Sequence, residues 1–270
     1  MSTLYQYSDR DFQLSHGLDT HPNTDDFPMH AHSTAEVYYF ISGKGIFHIE
    51  GSAYPLESGD LMVMYPSESH YIEIDRNYPY ERKLLNFRTD FFKSIDSENL
   101  LSKAIWDRKS GKRNQYKSYE FKGGSCEHYW QTMMAREGDP RINLLSGLVP
   151  LLGELYHIHT GRSADIESAS DTLEYRIIRY VNKNISRPVT LDEICQRYFI
   201  SKSQLCRLFK KSTGTTVWQY ITIKRLVTAR QLLQSGENPT RVYAQCGFND
   251  YSTFYRAYVK YFNRSPREEN

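Results

Sequence analysis

The chain has 270 residues, of which 39% are hydrophobic and 14% aromatic, with 22 tyrosines; that is enough apolar surface to bury real cores and to exclude a disordered chain. Its length suits two domains rather than one. The formal net charge of +2 hides an asymmetry: residues 171–270 carry 17 Lys and Arg against 8 Asp and Glu, a net +9, leaving 17 against 24, a net −7, for residues 1–170.

A positive field on one half attracts a polyanion through sequence-independent phosphate contacts, so nucleic acid is the expected partner of the C-terminal part. Residues 1–12 are polar and nowhere do 18 uncharged apolar residues run together, so neither secretion nor membrane insertion is expected. Cys126, Cys195, Cys206 and Cys246 form no C-x-x-C pair, and a reducing cytoplasm is the expected location.

In chain order, residues 27–87 show short apolar runs at 37–41, 46–50, 53–56 and 61–65, separated by Ser42-Gly43-Lys44-Gly45, Gly51-Ser52 and Ser58-Gly59-Asp60. Such spacing predicts an antiparallel barrel or sandwich. His30, His32 and Glu36 share one parity, so an extended strand points them to one side, and His70 completes the set after Pro66-Ser67-Glu68-Ser69. Imidazoles with one carboxylate are ligands for zinc, iron, manganese or nickel. The same groups also suit hydrogen bonding to a small polar effector, and this second use is the preferred expectation, with no metal cofactor assigned. Strand alternation allows Tyr38, Phe40 and His48 to line the same cavity, ordinary core packing being the alternative.

From residue 97 to 159 helical stretches take over, at 126–136 and 144–158, broken by Gly138-Asp139-Pro140. They are expected to cover the barrel or to mediate dimerisation. Residues 161–170, small and polar, read as an exposed connection. The predicted domains are therefore 1–160 and 171–270.

The strongest signal is an internal repeat at an offset of 49: Phe199, Ser203, Leu205, Arg207, Phe209 and Lys211 recur as Phe248, Ser252, Phe254, Arg256, Tyr258 and Lys260. Thr190 with Glu193, and Ser201 with Gln204, predict two capping boxes and two helices starting eleven residues apart. A tight turn at Tyr198-Phe199-Ile200 and a left-handed stop at Gly214 complete a helix-turn-helix unit. Leu205, Leu208 and Phe209 must face the core, so Ser203, Cys206, Arg207 and Lys210 face outward toward DNA. The second copy sets Asp250 as the cap, Phe254, Ala257 and Tyr258 inward, and Ser252, Tyr255, Arg256 and Val259 outward. Residues 217–234 read as one connecting helix with Trp218, Ile221, Leu226, Ala229, Leu232 and Leu233 inward; its length of about 25 Å approaches one DNA turn of about 34 Å.

Across residues 173–266 this pattern resembles the AraC/XylS family of bacterial transcription regulators. The resemblance rests on Leu191-x-x-Ile194, Ser201, Leu205, Phe209-Lys210, Gly214, Tyr220-Ile221, Arg225-Leu226, Ala229, Leu232-Leu233, Cys246-Gly247-Phe248, Asp250, Phe254, Arg256, Tyr258 and Ser265-Pro266. Cys195 and Tyr243 stand where the family has a small Ala, and Asn263 replaces the Gly before Ser-Pro. The order His30, His32, Glu36, Gly43, Gly59, Pro66, His70 resembles the two cupin motifs.

The resemblance implies an α+β chain with an N-terminal cupin-like β-barrel and accessory helices, followed by an all-α tandem helix-turn-helix domain. It implies a transcription regulator that binds double-stranded promoter DNA, acts as a homodimer, touches RNA polymerase, and responds to a small effector such as a sugar. His30, His32, Glu36, Tyr38, His48 and His70 would contact that effector. The rival reading is a metal-dependent cupin enzyme with a DNA-binding appendage, its metal on His30, His32, Glu36 and His70; a purely structural nucleoid protein would leave the front half without a role.

Overall fold

The structure is a computed structural model that describes residues 2–162 and 172–269. Most of the expected connection at 161–170 lies outside the described residues. Two antiparallel sheets form the N-terminal half. One has six strands in the order β1 (Ser2–Ser8), β2 (Phe12–Asp19), β8 (Tyr80–Phe87), β3 (Ala35–Ser42), β6 (Leu61–Met64) and β9 (Gln115–Tyr116). The other has three, β5 (Ser52–Pro55), β4 (Gly45–Ile49) and β7 (His70–Ile74).

Strand β3 explains how the sheets are stacked. Residues 35–40 are all buried, yet they divide by parity: Tyr38 and Phe40 join Phe47, Ile49, Met62, Met64, Ile72 and Ile74 between the two sheets. Val37 and Tyr39 point the other way, into a core with α2 (Glu127–Met133) and α3 (Pro140–Gly161). A strand covered on both faces loses its apolar-polar alternation, which is why 37–41 reads as a continuous run. These helices cover the sheet, which is one of the two uses expected for them. The short α1 (Lys103–Trp106) joins the same core through Ala104 and Ile105.

Asp139 caps α3 by accepting from the Arg141 and Ile142 amides, with Pro140 in the first turn. Gly147 is the point of closest approach between α2 and α3: a Cβ there would lie 2.4 Å from the Tyr129 carbonyl oxygen and 2.5 Å from Met133 Cγ. Gly147→Ala must push the helices apart, and a loss of about 1–3 kcal/mol is expected from overpacking. Urea unfolding should show a lower midpoint at an unchanged slope.

The C-terminal half is helical: α4 (Leu173–Lys183), α5 (Leu191–Tyr198), α6 (Lys202–Thr213), α7 (Val217–Gln234), α8 (Pro239–Gln245) and α9 (Tyr251–Phe262). Thr190 and Ser201 accept from the Glu193 and Gln204 amides as expected. The return half of the first box is replaced: the Glu193 carboxylate accepts from Arg187 and Tyr180 instead. Gly214 takes the left-handed stop at φ 71°.

Three expectations are corrected here. Trp218 is 52% exposed, because Val217, Tyr220 and Ile221 take the buried faces of the first turn of α7. Val259 and Ala257 are both half-buried, neither fully out nor fully in. The repeat also breaks inside the turn. Phe199 adopts φ 54° as the left-handed cap of α5 and is 95% exposed, whereas in the second unit Gly247 takes that role at φ 85° and Phe248 tucks in. Thr190 and Ser201 are eleven residues apart but Asn238 and Asp250 twelve, so the second unit is one residue longer from cap to cap.

Candidate functional site

On α6 the buried Leu205 and Phe209 fix the orientation, leaving Ser203, Cys206, Arg207 and Lys210 exposed. On α9 Phe254 and Tyr258 are buried, while Ser252, Tyr255 and Arg256 are exposed. Asp250 accepts from the Thr253 amide at 2.8 Å, and that amide holds the capping carboxyl below its ordinary range. Between the two, α7 is an 18-residue helix, a rigid spacer about 27 Å long.

In the N-terminal half, the side chains of His30, His32, Glu36 and His70 each offer a ligand atom within 4.8 Å of the others. His32 Nε2 lies 2.7 Å from Glu36 Oε2, and His70 Nε2 lies 3.7 Å from the same oxygen. Burial opposes ionisation of Glu36, but His70 and His32 hold its carboxyl well below the ordinary range. Burial likewise opposes charging of His70, but Glu36 raises it. Tyr38 joins this interior, its hydroxyl 2.7 Å from that of Tyr80, and Phe40 is packed into the core between the sheets.

His48 does not join them. Its strand neighbours Phe47 and Ile49 take the interior between the sheets, so His48 lies on the opposite face of β4, its ring stacked 4.4 Å from Tyr71 and its Nε2 3.5 Å from the Glu73 carboxylate. The parity was counted correctly for Tyr38 on β3, but β4 enters the sheet with the opposite phase.

The two halves dock through side chains that sequence reasoning missed. Glu50, 2% exposed at the β4–β5 turn, accepts from the Ser69 amide at 2.6 Å and the Ser69 hydroxyl at 3.0 Å. It also accepts from Lys224 Nζ at 2.8 Å, the Tyr220 hydroxyl at 2.8 Å and Asn182. Burial opposes its ionisation, yet Lys224 holds the carboxyl below its ordinary value. Tyr71 donates to the Lys211 carbonyl at 2.8 Å and its ring lies against Gly214; the Tyr261 hydroxyl bonds both backbone groups of Ala31. A cavity of about 370 Å³ beside Glu50 is lined by Tyr65, Ser67, Tyr175, Asn182 and Lys224. Gly51-Ser52, Ser67, Ser69 and Tyr220 stand out in the sequence as turn or motif residues, but nothing in those signals says that they would meet across this seam.

Two family models match the chain: an AraC-like ligand binding domain over residues 14–132 and a helix-turn-helix domain over residues 194–269. The chain belongs to the AraC family. This AraC-family protein pairs a ligand-binding domain with a helix-turn-helix DNA-binding domain, and it is a transcription regulator.

Its relatives include the HTH-type transcriptional activator RhaS of Escherichia coli, 24% identical over 90% of this chain and 87% of the relative. RhaR of Mannheimia succiniciproducens is 21% identical, covering 90% and 86%. The Msm operon regulatory protein of Streptococcus mutans is 22% identical, covering 85% and 81%. These are regulators and not enzymes, which removes the cupin-enzyme reading. Among solved structures, ToxT of Vibrio cholerae aligns over 96% of this chain and 97% of its own at 13% identity and a TM-score of 0.40. An AraC-type DNA-binding domain from Chromobacterium violaceum is 35% identical over 36% of this chain and 87% of its own, with a TM-score of 0.34.

Proposed function

We propose that this regulator reads promoter DNA through α6 and α9 together and is switched by a small effector held in the N-terminal sheets. Residues 1–160 are assigned as a cupin-like sensor and dimerisation domain, 161–170 as the connection, and 171–270 as the reading domain. The observation that carries this is the matched exposure of Arg207 and Arg256 on two helices whose opposite faces are buried, one at each end of α7. Ser203, Cys206 and Lys210 flank the first cation and Ser252 and Tyr255 the second, side chains suited to base edges and phosphates.

His30, His32, Glu36, His70 and Tyr38 are assigned to the sensor site. A sugar or related metabolite is the effector class that family resemblance favours. Homodimerisation, contact with RNA polymerase and a cytoplasmic location belong to the same reading; among the described residues no helix is long and apolar enough to cross a membrane.

Selecting bound duplexes from random DNA tests the proposal, and it fails if no sequence is enriched. On the enriched duplex, Arg207→Ala and Arg256→Ala are each expected to weaken binding by about 1–3 kcal/mol, roughly five- to 150-fold. A gel-shift series with both affinities unchanged would remove these residues from the interface. Thermal shifts against a panel of sugars test the effector class.

A further inference from the structure

We infer that Cys195 and Cys206 close into a reversible disulfide when a hydroperoxide is present, and that this bond weakens DNA binding through α6. The regulatory half of this inference rests on the reading of α6 as a DNA-contacting helix; the thiol chemistry does not.

The first observation is where the two sulfurs sit. Cys195 is half-buried on α5 and Cys206 is exposed on α6, each five residues after the cap of its helix, Thr190 and Ser201. An ion pair pins the face that carries one against the face that carries the other. Asp192, one turn before Cys195, lies 2.7 Å from Nζ of Lys202, which is one turn before Cys206. Burial and Asp192 push the Cys195 thiol up, Lys202 pulls it down and Cys206 pushes it up again, so both α6 residues lie within electrostatic reach of the sulfur.

The second unit gives an independent view of the same three positions. Counted from the caps Asn238 and Asp250, the counterparts of Cys195, Lys202 and Cys206 are Tyr243, Tyr251 and Tyr255. Their rings form one continuous cluster, with centroids 5.9 Å apart from Tyr243 to Tyr251 and 6.1 Å from Tyr251 to Tyr255. Tyr243 is half-buried and Tyr255 exposed, as Cys195 and Cys206 are. Both units therefore bring these positions together, but only the first places thiols there.

Cys126 and Cys246 are buried, and burial pushes their thiols up to about 12 and about 11. The thiolate is the nucleophile, so these two are inert and the exposed Cys206 is the one a peroxide reaches. Its sulfur takes one oxygen from the hydroperoxide as the O–O bond breaks and an alcohol or water leaves, giving a sulfenic acid. The Cys195 sulfur then displaces that hydroxyl, which departs as water with the Cys195 proton, and the S–S bond forms. In a reducing compartment such a bond is transient and reports oxidation. A disulfide holds its Cα atoms about 4.4–6.8 Å apart. The bond thus fixes the crossing of α5 and α6 and turns Cys206 toward α5, away from the exposed face it shares with Arg207 and Lys210.

The test uses the reduced full chain treated with hydrogen peroxide. Intact mass should fall by two hydrogens, peptide mapping should join Cys195 to Cys206, and a non-reducing denaturing gel should show no cross-linked chains. Affinity for the enriched duplex should fall about fivefold or more, the least expected for losing the Arg207 contact, and dithiothreitol should restore it. Cys195→Ala should bind DNA like the reduced parent, form no internal bond and leave Cys206 as a sulfenic acid that dimedone traps.

A parent that keeps all its thiols under peroxide, or that cross-links between chains instead, overturns the pairing. An internal bond that leaves DNA affinity unchanged overturns the regulation. A chain that selects DNA but never forms the bond sinks only this inference. One that forms the bond but selects no DNA even when reduced sinks the proposed function instead.

Discussion

Glu50→Ala is expected to uncouple the two halves of the chain. The substitution removes a carboxylate that five donors share across the seam and leaves the Lys224 ammonium, whose side chain is 12% exposed, without its counter-charge. Breaking a buried pair from one side costs about 3–5 kcal/mol, and the partial water access of Lys224 puts this case near about 3. The local backbone adds to the effect. Glu50 and Gly51 form a two-residue hairpin turn with φ of 48° and 81°, a geometry unfavourable for glutamate without its partners. Calorimetry should show one unfolding transition in the parent and two in Glu50→Ala; a single transition at the parental temperature would mean that the seam is held elsewhere.

The pH dependence of the same contact has a definite sign. Because folding lowers the Glu50 carboxyl below its unfolded value, its contribution is complete above the ordinary carboxylate range. It declines as pH falls through that range toward the lowered folded value. Docking should therefore loosen under acid in the parent and show a flatter profile in Glu50→Gln.

The second large effect lies beside His70, whose Nδ1 is 2.9 Å from the Glu68 carbonyl. Glu68 and Arg108 have side chains with no solvent exposure, joined at 2.5 and 2.8 Å, and Glu68 also accepts from the Gly111 and Tyr65 amides and from Asn114. Glu68→Ala strands the guanidinium and should cost about 3–5 kcal/mol, seen as a lower urea midpoint. Adding Arg108→Met removes the stranded charge and should recover part of that loss, the two amides remaining unpaired. If the double substitution is no more stable than Glu68→Ala, the ion pair is not the source of the effect.

The helical half was largely legible because its signals are local. Capping residues, left-handed glycines and a 3.6-residue period act within a turn or two, so α6, α7 and α9 lie where the sequence predicted them and Leu205, Phe209, Phe254 and Tyr258 are buried. Trp218 shows the limit: a helix buried on more than one side offers no single apolar stripe. Strands β1 and β2 escaped notice because β1 is an edge strand whose residues are mostly exposed, leaving no strong alternation to read.

In the sensor half, parity placed His30, His32, Glu36 and Tyr38 on one side but misassigned His48, since phase between strands is set by pairing and not by the run itself. Glu50 was illegible for a related reason. A charged residue in a hairpin turn is ordinarily solvated, and only the arrival of α4 and α7 buries it.

The rigidity of α7 has a consequence for the DNA rather than for the protein. If α6 and α9 read DNA as proposed, a spacer of fixed length between them measures out base pairs, so the two elements of a cognate site must keep their phase. Inserting about five base pairs between them, half a helical turn, would carry the second element to the far side of the duplex, whereas about ten would restore the side but exceed the reach. Promoters under this regulator should thus tolerate substitutions within either element better than any change in the distance separating them.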